Sequence, residues 1–307
     1  MPVFTRSRTR SSTTLQNFHY NVDNSTDEER RYKFTPIEEV KKVKIKTGNK
    51  TRTIYIPKED NKKKELNGIL RILYKSKFGK LVSPWACAYV RGRDIIDAAK
   101  PHVGYKYVAK IDLQDFFGSV TFEKFAREIM SKKYKFMTDQ DIATILVYVQ
   151  PCFVKDKRGR VFLPQGFATS PIISNLFMGN FDWKVAKFAK KKGVNYTRYA
   201  DDIALSSNNK DKLQKVIAYI TILLRDMELS INKKKFRIMP YYRRQIVCGI
   251  VVNNKINLPR ETRKLIRAMR HRHKNDEVVP PEISGMYSYE HMVQNKANLT
   301  ERIGRSI

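Results

Sequence analysis

The spacing of apolar positions changes several times along the chain, and the changes mark out its elements. From about Val40, "KKVKIKTGNKTRTIYIPK" alternates apolar and basic residues on either side of "TGNK", the pattern of a hairpin with a very basic face. Leu66, Ile69, Leu70 and Leu73 then fall on one face of a helix expected over 62–78. "YKYVAKIDLQDFF" reads as a strand running into two aromatics, after which Phe122, Phe125 and Ile129 restart a helical period. Ile142, Ile145, Leu146 and Val149 give a further helix face.

Past "VFLPQG" a long helix is expected to begin near Thr169 to Pro171, to bury Ile173, Leu176 and Phe177, and to stop at "KFAKKKG". Lysines in the last turn and Gly193 beyond it are ordinary helix-stop chemistry. Residues 195–207 read as strand, turn and strand, and Leu213, Val216, Ile217, Ile220, Leu223 and Leu224 as the next helix. "FRIMPYYRRQIVCGIVVNNKINL" gives further strands, and 260–274 a helix crowded with Arg260, Arg263, Lys264, Arg267, Arg270 and Arg272. Residues 1–35 are polar and rich in Ser, Thr and Arg without a sustained period, and read as a basic arm, either flexible or draped over something acidic. There is no internal repeat.

The chain has 307 residues, enough to bury a sizeable core in one large or two ordinary domains. Its 61 Lys and Arg against 30 Asp and Glu give a formal charge of +31, more than solubility needs and suited to neutralising phosphates. Nucleic acid is therefore the expected partner. No apolar run of ~18 residues and no N-terminal signal with an apolar core is found, so a cytoplasmic location and no membrane contact are expected. Cys87, Cys152 and Cys248 are scattered without metal-ligand spacing and read as small buried apolar residues.

The stretch "NYTRYADDIALSS" places Asp201 and Asp202 side by side in an alternating run. Asp is a common turn residue, so "ADD" at a hairpin tip has an ordinary explanation. Asp112 changes the balance, because its neighbours Val108, Ile111 and Leu113 are apolar and an unpaired carboxylate there is costly. If its strand lies beside the 195–207 hairpin, three carboxylates converge. Two divalent ions ~4 Å apart would neutralise them and could act on the attacking and leaving oxygens of a phosphoryl transfer. Magnesium suits all-oxygen ligation that leaves places for phosphate.

In the order "IDLQDFFGS" (111–119), "LPQGFATSP" (163–171) and "YADD" (199–202), the chain resembles the central motifs of reverse transcriptases. Each motif alone is weak, but the ordered combination is very specific. "RTIYIPK" (52–58) is similar to the family's first fingers motif, "LSINKKK" (229–235) to the motif after the catalytic hairpin, and "VCGIVVN" (247–253) to the last palm strand. The resemblance spans roughly residues 40–300 and is strongest to the compact bacterial retron enzymes, which lack RNase H and endonuclease domains; the chain length leaves room for neither. Two positions depart from the retron pattern. "AAKPH" keeps His102 but has Ala98 where Asn is usual, and Cys248 stands where Val-Thr-Gly has Thr.

The resemblance implies an α/β right-hand polymerase fold: fingers over 36–105, a palm over 106–250 with remaining fingers segments inserted, and a thumb over 251–307. It implies Asp112, Asp201 and Asp202 as ligands of two Mg2+ ions. Arg52 would clamp the incoming triphosphate, and Lys50 is either a second contact or part of a solvated face. Asp115 fits a turn-stabilising role as well as a direct role in placing the triphosphate. Gln165 would position the nucleotide and template base, with Gly166 letting backbone approach them closely. Phe117 falls where the family places an aromatic under the sugar, and Tyr199 and Ala200 would line the primer end. Lys235 matches the lysine after the catalytic hairpin, or is one of three surface lysines.

Arg263, Arg267 and Arg270 would grip the duplex backbone from the thumb. Tyr287, Tyr289 and His291 could stack on an unpaired base, although buried thumb aromatics fit as well. The implied activity is copying a structured non-coding RNA into DNA from deoxynucleotides, with priming from a 2′-hydroxyl, retention of the DNA product, and a separate effector protein in phage defence. The rival readings are another compact prokaryotic reverse transcriptase, group II intron-like or of the abortive-infection kind, a two-metal nuclease, and an RNA-binding protein with a decayed site.

Overall fold

The computed structural model describes residue 37 and residues 39–47, 50–131, 137–274 and 278–304. The expected N-terminal arm (1–35) and the tip of the first hairpin lie outside them. Strands β1 (Val40–Thr47) and β2 (Lys50–Pro57) pair antiparallel along their full length, with Ile45 opposite Arg52. Helix α1 (Asp60–Lys75) buries Leu66, Ile69 and Leu73, the stripe expected from their spacing. α2 (Ile95–Ala99) opens on a capping box in which Asp94 and Asp97 satisfy each other's backbone N–H groups.

Then follow β3 (Tyr107–Asp112), α3 (Phe116–Ser119), α4 (Phe122–Met130), α5 (Asp139–Val149), β4 (Val154–Lys155), β5 (Val161–Phe162) and α6 (Ser170–Lys192). After these come β6 (Asn195–Tyr199), β7 (Asp202–Ser207), α7 (Lys210–Asp226), β8 (Arg237–Pro240), β9 (Ile246–Val247), β10 (Ile250–Val251), α8 (Arg260–Arg272) and α9 (Pro281–Gly304).

The centre is a four-stranded antiparallel sheet in the order β6-β7-β3-β8. Alternate side chains feed two cores. Ala109, Ile111, Ile203 and Leu205 pack with Phe177, Phe181 and Val185 of α6 and Leu213, Val216 and Ile220 of α7. Val108 and Ala204, on the other face, pack with Val247, Ile250, Val252, Ile266 and Val293. Both faces of the sheet are covered, so a carboxylate at the end of β3 or β7 borders a dry interior. α6 is buried on most of its circumference between Ser170 and Ala189, which explains its near-continuous apolar character.

The expected strand running into two aromatics ends at Asp112 instead. Asp115 turns left-handed at φ +42°, a conformation that Asp tolerates, and Phe116 and Phe117 fall on the helical turn α3. Phe116 enters the core and Phe117 stays half-buried against it. Cys87 and Cys152 are buried free thiols, as expected, and Cys248 is half-buried. Among the described residues no helix is long and apolar enough to cross a membrane.

Candidate active site

Pairing of β3 with β7 sets Asp112 directly opposite Asp202, and pairing of β6 with β7 sets Asp202 opposite Tyr199. The chain reverses between the strands through Ala200, at φ +56°, and Asp201. Asp201 is drawn in by its own backbone, whose carbonyl accepts the Leu113 N–H at 3.1 Å. The expected convergence of the two motifs is therefore a matter of strand register. Burial, followed by the charges of Asp202 and Asp112, pushes the Asp201 carboxyl above the ordinary carboxylate range, against the hydrogen bond from its own backbone and the charge of Lys235.

Two lysines answer part of the negative charge. Lys110 pairs with Asp202 at 2.9 Å, and Lys235 pairs with the Oδ1 of Asp112. Burial disfavours the charge on Lys110, but its hydrogen bond and attraction to Asp202 outweigh that and hold its pKa above the usual lysine value. Lys235 arrives there because its segment is laced to the end of β3: Gln114 donates its N–H to the Ser230 carbonyl and Asn232 donates to the Asp112 carbonyl, each at 2.8 Å. The "LSINKKK" lysine thus bears on a carboxylate.

The lysines leave two oxygens over. Asp112 Oδ2 and Asp202 Oδ1 are buried without a hydrogen-bond partner. A buried carboxylate oxygen without a partner is destabilising, and two of them on facing residues suit a shared cation. The donor set is all oxygen, which fits a hard divalent ion held by one or two carboxylates and completed by phosphate. Among the described residues no cluster of three or more His, Cys, Asp or Glu side chains could hold a metal by itself. The facing pair and Asp201 at the turn are what the strands bring together.

Around this centre, β2 lies against the "LPQG" loop. Tyr55 donates its N–H to the Gln165 carbonyl at 2.8 Å, and Gly166, at φ +119°, lies so close that a Cβ there would stand 2.6 Å from the Tyr55 carbonyl. Gly166 was expected to allow close approach to nucleotide and template; in the structure the close approach is to the strand that carries Arg52. Arg52 is exposed and Gln165 half-buried. Lys50 begins β2, and its side chain lies outside the described residues.

Residues 41–271 match the family Reverse transcriptase (RNA-dependent DNA polymerase). The chain belongs to the reverse transcriptase family. Its mixed helix and strand architecture is accordingly a right-hand polymerase fold. It is 31% identical over 254 residues to the Retron Mx65 reverse transcriptase of Myxococcus xanthus, covering 79% of this chain and 59% of that protein. To the Retron Ec86 reverse transcriptase of Escherichia coli it is 31% identical over 222 residues, covering 72% and 64%. To the Retron Ec83 reverse transcriptase of Escherichia coli it is 34% identical over 195 residues, covering 60% of each. The chain matches about three fifths of the length of these curated relatives.

Several residues that build this reverse-transcriptase site carry no motif signal of their own. Arg198, fully buried in β6, donates Nε to Asp182 Oδ1 at 2.8 Å and Nη2 to Asp182 Oδ2 at 2.7 Å. Its Nη1 donates to the Ala200 carbonyl at 3.0 Å, so a buried ion pair anchored on α6 fixes the left-handed residue of the β6–β7 turn. Ser83 and Tyr196 donate to the remaining valences of Asp182. Burial opposes the charge on Arg198, and Asp182 more than restores it. Tyr89 was also not anticipated; it is strained at φ +59° and sits within electrostatic reach of Asp201, Tyr199 and Arg52.

His102 is buried beneath the same hairpin, with Nδ1 2.8 Å from Ser206 Oγ and Nε2 2.8 Å from Thr197 Oγ1. Thr197 gives its own hydrogen to the Ala98 carbonyl at 2.9 Å, so Nε2 must donate to Thr197 and Nδ1 must accept from Ser206. The network uses the backbone of residue 98, which is why Ala98 in place of Asn leaves it intact. Cys248 and Gly249 both take positive φ, the backbone of a tight two-residue hairpin turn between β9 and β10. Burial first, and then the Asp202 charge, pushes the Cys248 thiol up to about 12.

In α8, Arg263 and Arg267 are exposed, as duplex contact requires. Arg270 is exposed as well, and it also pairs with Glu290 of α9 at 2.8 Å and lies over the Tyr287 ring. It ties α8 to α9 because Glu290 is buried and needs a cation. Tyr287 and Tyr289 pack against the second core, which favours their reading as buried aromatics, and His291 is exposed.

Proposed function

We propose that the protein is an RNA-directed DNA polymerase of the retron type, copying a structured non-coding RNA into DNA that stays with it. The observation that carries the reading is the pair of facing carboxylates, Asp112 and Asp202, each with a buried oxygen lacking a partner. Two Mg2+ ions held by Asp112, Asp201 and Asp202 would lower the pKa of the attacking hydroxyl and stabilise the leaving pyrophosphate.

The chain's own groups do the positioning. Arg198 fixes the turn that aims Asp201 and Asp202, and Lys235 and Lys110 balance the carboxylates. Arg52, on the strand that the Tyr55 hydrogen bond joins to the Gln165 loop, clamps the triphosphate, with Lys50 and Asp115 at its margins. Phe117 lies beneath the sugar; Tyr199, Ala200 and Gly166 border the primer and template. Arg263, Arg267 and Arg270 of a thumb over 251–307 grip the duplex, against a palm over 106–250 and fingers over 36–105. The protein works in the cytoplasm, primes from a 2′-hydroxyl of its RNA, and acts with a separate effector protein in phage defence. The similarity to three retron enzymes supports this version over the other compact reverse transcriptases.

Incubation with a primed RNA template and Mg2+, with and without deoxynucleotides, tests the activity. A polymerase lengthens the primer only when deoxynucleotides are present, whereas RNA cleavage without them would identify a nuclease. Sequencing the nucleic acid that copurifies with the protein tests the retron assignment: RNA joined to DNA through a 2′,5′ bond is expected, and its absence alongside primer extension would restrict the reading to another compact reverse transcriptase.

A further inference from the structure

Outside the carboxylate site, a groove of about 1200 Å³ runs along the outer edge of β6, between α6 and residues 84–101. Trp85 and Trp183 meet edge to face in its wall, ring centroids 4.8 Å apart, and Trp183 is 50% exposed. These are both tryptophans of the chain. Trp183 thus offers a large aromatic surface, half in water, on which a flat ring could stack.

The rest of the lining says what kind of partner. Lys184, Lys187 and Lys190 are exposed along α6 beside Trp183, and none has an ion-pair partner among the described residues. They span ~9 Å of helix axis, at 1.5 Å per residue. Arg93 adds a fixed positive wall, its guanidinium bonded to the carbonyls of Pro84 and Ala86. Asp97 is the one lining carboxylate among the described residues, and it is engaged by Lys296 and the Asp94 N–H. A row of unpaired cations beside a half-exposed indole matches a single strand of nucleic acid, phosphates on the lysines and a base on the ring. Its volume suits a polymer better than a small ligand.

We propose that this groove is a second RNA-binding site, separate from the polymerase centre, which holds an unpaired segment of the bound RNA by stacking a base on Trp183 and seating phosphates on Lys184, Lys187 and Lys190. The groove borders Asn195, Tyr196 and Thr197 of β6, from the strand end ~13 Å from the β6–β7 turn to a point two residues short of Tyr199. A site there anchors the RNA without competing for the primer end. The inference rests on the polymerase reading only in taking RNA as the resident partner.

Because both tryptophans lie in this one groove, intrinsic fluorescence reports on it alone. The full chain is titrated with a labelled RNA hairpin bearing a single-stranded tail, with label anisotropy and tryptophan emission read together over a salt series. Binding should quench the emission. Trp183→Ala should weaken binding roughly 5- to 100-fold, the range for loss of one stacked base. The triple variant Lys184→Ala, Lys187→Ala, Lys190→Ala should lower the slope of log affinity against log salt by about 2, at ~0.7 per single-strand phosphate. Both variants should extend a pre-annealed primer at saturating template as the wild type does.

RNA that binds by anisotropy without changing the emission, or a triple variant with wild-type affinity and salt slope, would overturn the site; a groove that serves a protein partner gives that result. Failure of the wild type to extend any primer would count against the polymerase reading and leave the groove to be judged by the fluorescence.

Discussion

Tyr55 gives its backbone N–H to the carbonyl of Gln165 at 2.8 Å, joining the strand that carries Arg52 to the loop that precedes α6. The contact is possible because residue 166 is glycine: a Cβ there would stand 2.5 Å from Ile54 Cγ2 and 2.6 Å from the Tyr55 carbonyl, at a φ of +119°. Gly166→Ala should therefore part the two segments. Backbone strain alone should cost ~1–3 kcal/mol in urea unfolding. The KM for deoxynucleotides should rise while RNA affinity holds, because Arg52 and Gln165 no longer stand in register. An unchanged unfolding midpoint and KM would show that the close approach has no consequence.

Arg52→Ala should raise the KM for deoxynucleotides much more than it weakens RNA binding, through loss of one charge-assisted contact to the triphosphate. Steady-state extension and RNA titration of the same preparation provide the comparison. An unaltered KM would assign Arg52 to the solvated face of its hairpin.

Phe116 and Phe117 should separate cleanly. Phe116 is 4% exposed, so Phe116→Ala should destabilise the fold by ~3–5 kcal/mol. Phe117 is half-buried and free at one edge, so Phe117→Ala should leave the fold largely intact and accept ribonucleotides far more readily. Single-nucleotide insertion with matched ribo- and deoxynucleotides decides this, and wild-type sugar discrimination would move the gate elsewhere.

The motifs were legible because they are local: "YADD" and "IDLQDFF" each carry their chemistry within a few residues, and alternation fixed which strand faces met. Other features depend on distance. Asp182 reads as one more polar residue in α6, and nothing in its neighbourhood announces that it pairs with Arg198, 16 positions later. Arg198 itself occupies an alternating strand in which a buried cation looks like a surface one. Arg270 shared a helix and a residue type with Arg263 and Arg267, and only the buried Glu290 on α9 distinguishes it. Phe116 and Phe117 left the strand because Asp115 adopts a left-handed turn, a choice that Asp permits but does not require.

His102 should give the fold a measurable pH dependence. Burial lowers its pKa to about 3, against an ordinary value of 6.5. The folded state holds it neutral while the unfolded chain takes up a proton below about pH 6.5, so this contribution is intact above that pH and is lost as pH falls toward about 3. The full effect is on the order of 5 kcal/mol. His102→Gln should be less stable at neutral pH, having lost a fitted hydrogen-bond network, yet show a shallower decline between pH 6.5 and pH 4. Parallel slopes for the two proteins would mean that His102 is not held neutral.

The facing carboxylates are tested most directly by Asp202→Asn, measured for single-turnover extension of a primed RNA template with Mg2+ and, on the same preparation, for RNA affinity by anisotropy. Asn is nearly isosteric and keeps the β3–β7 register, but it removes the charge and an anionic oxygen that a divalent cation needs. Extension should be abolished while RNA affinity stays nearly unchanged, since the basic surface supplies the binding. Extension by Asp202→Asn at close to the wild-type rate would contradict the assignment of Asp202 as a catalytic metal ligand.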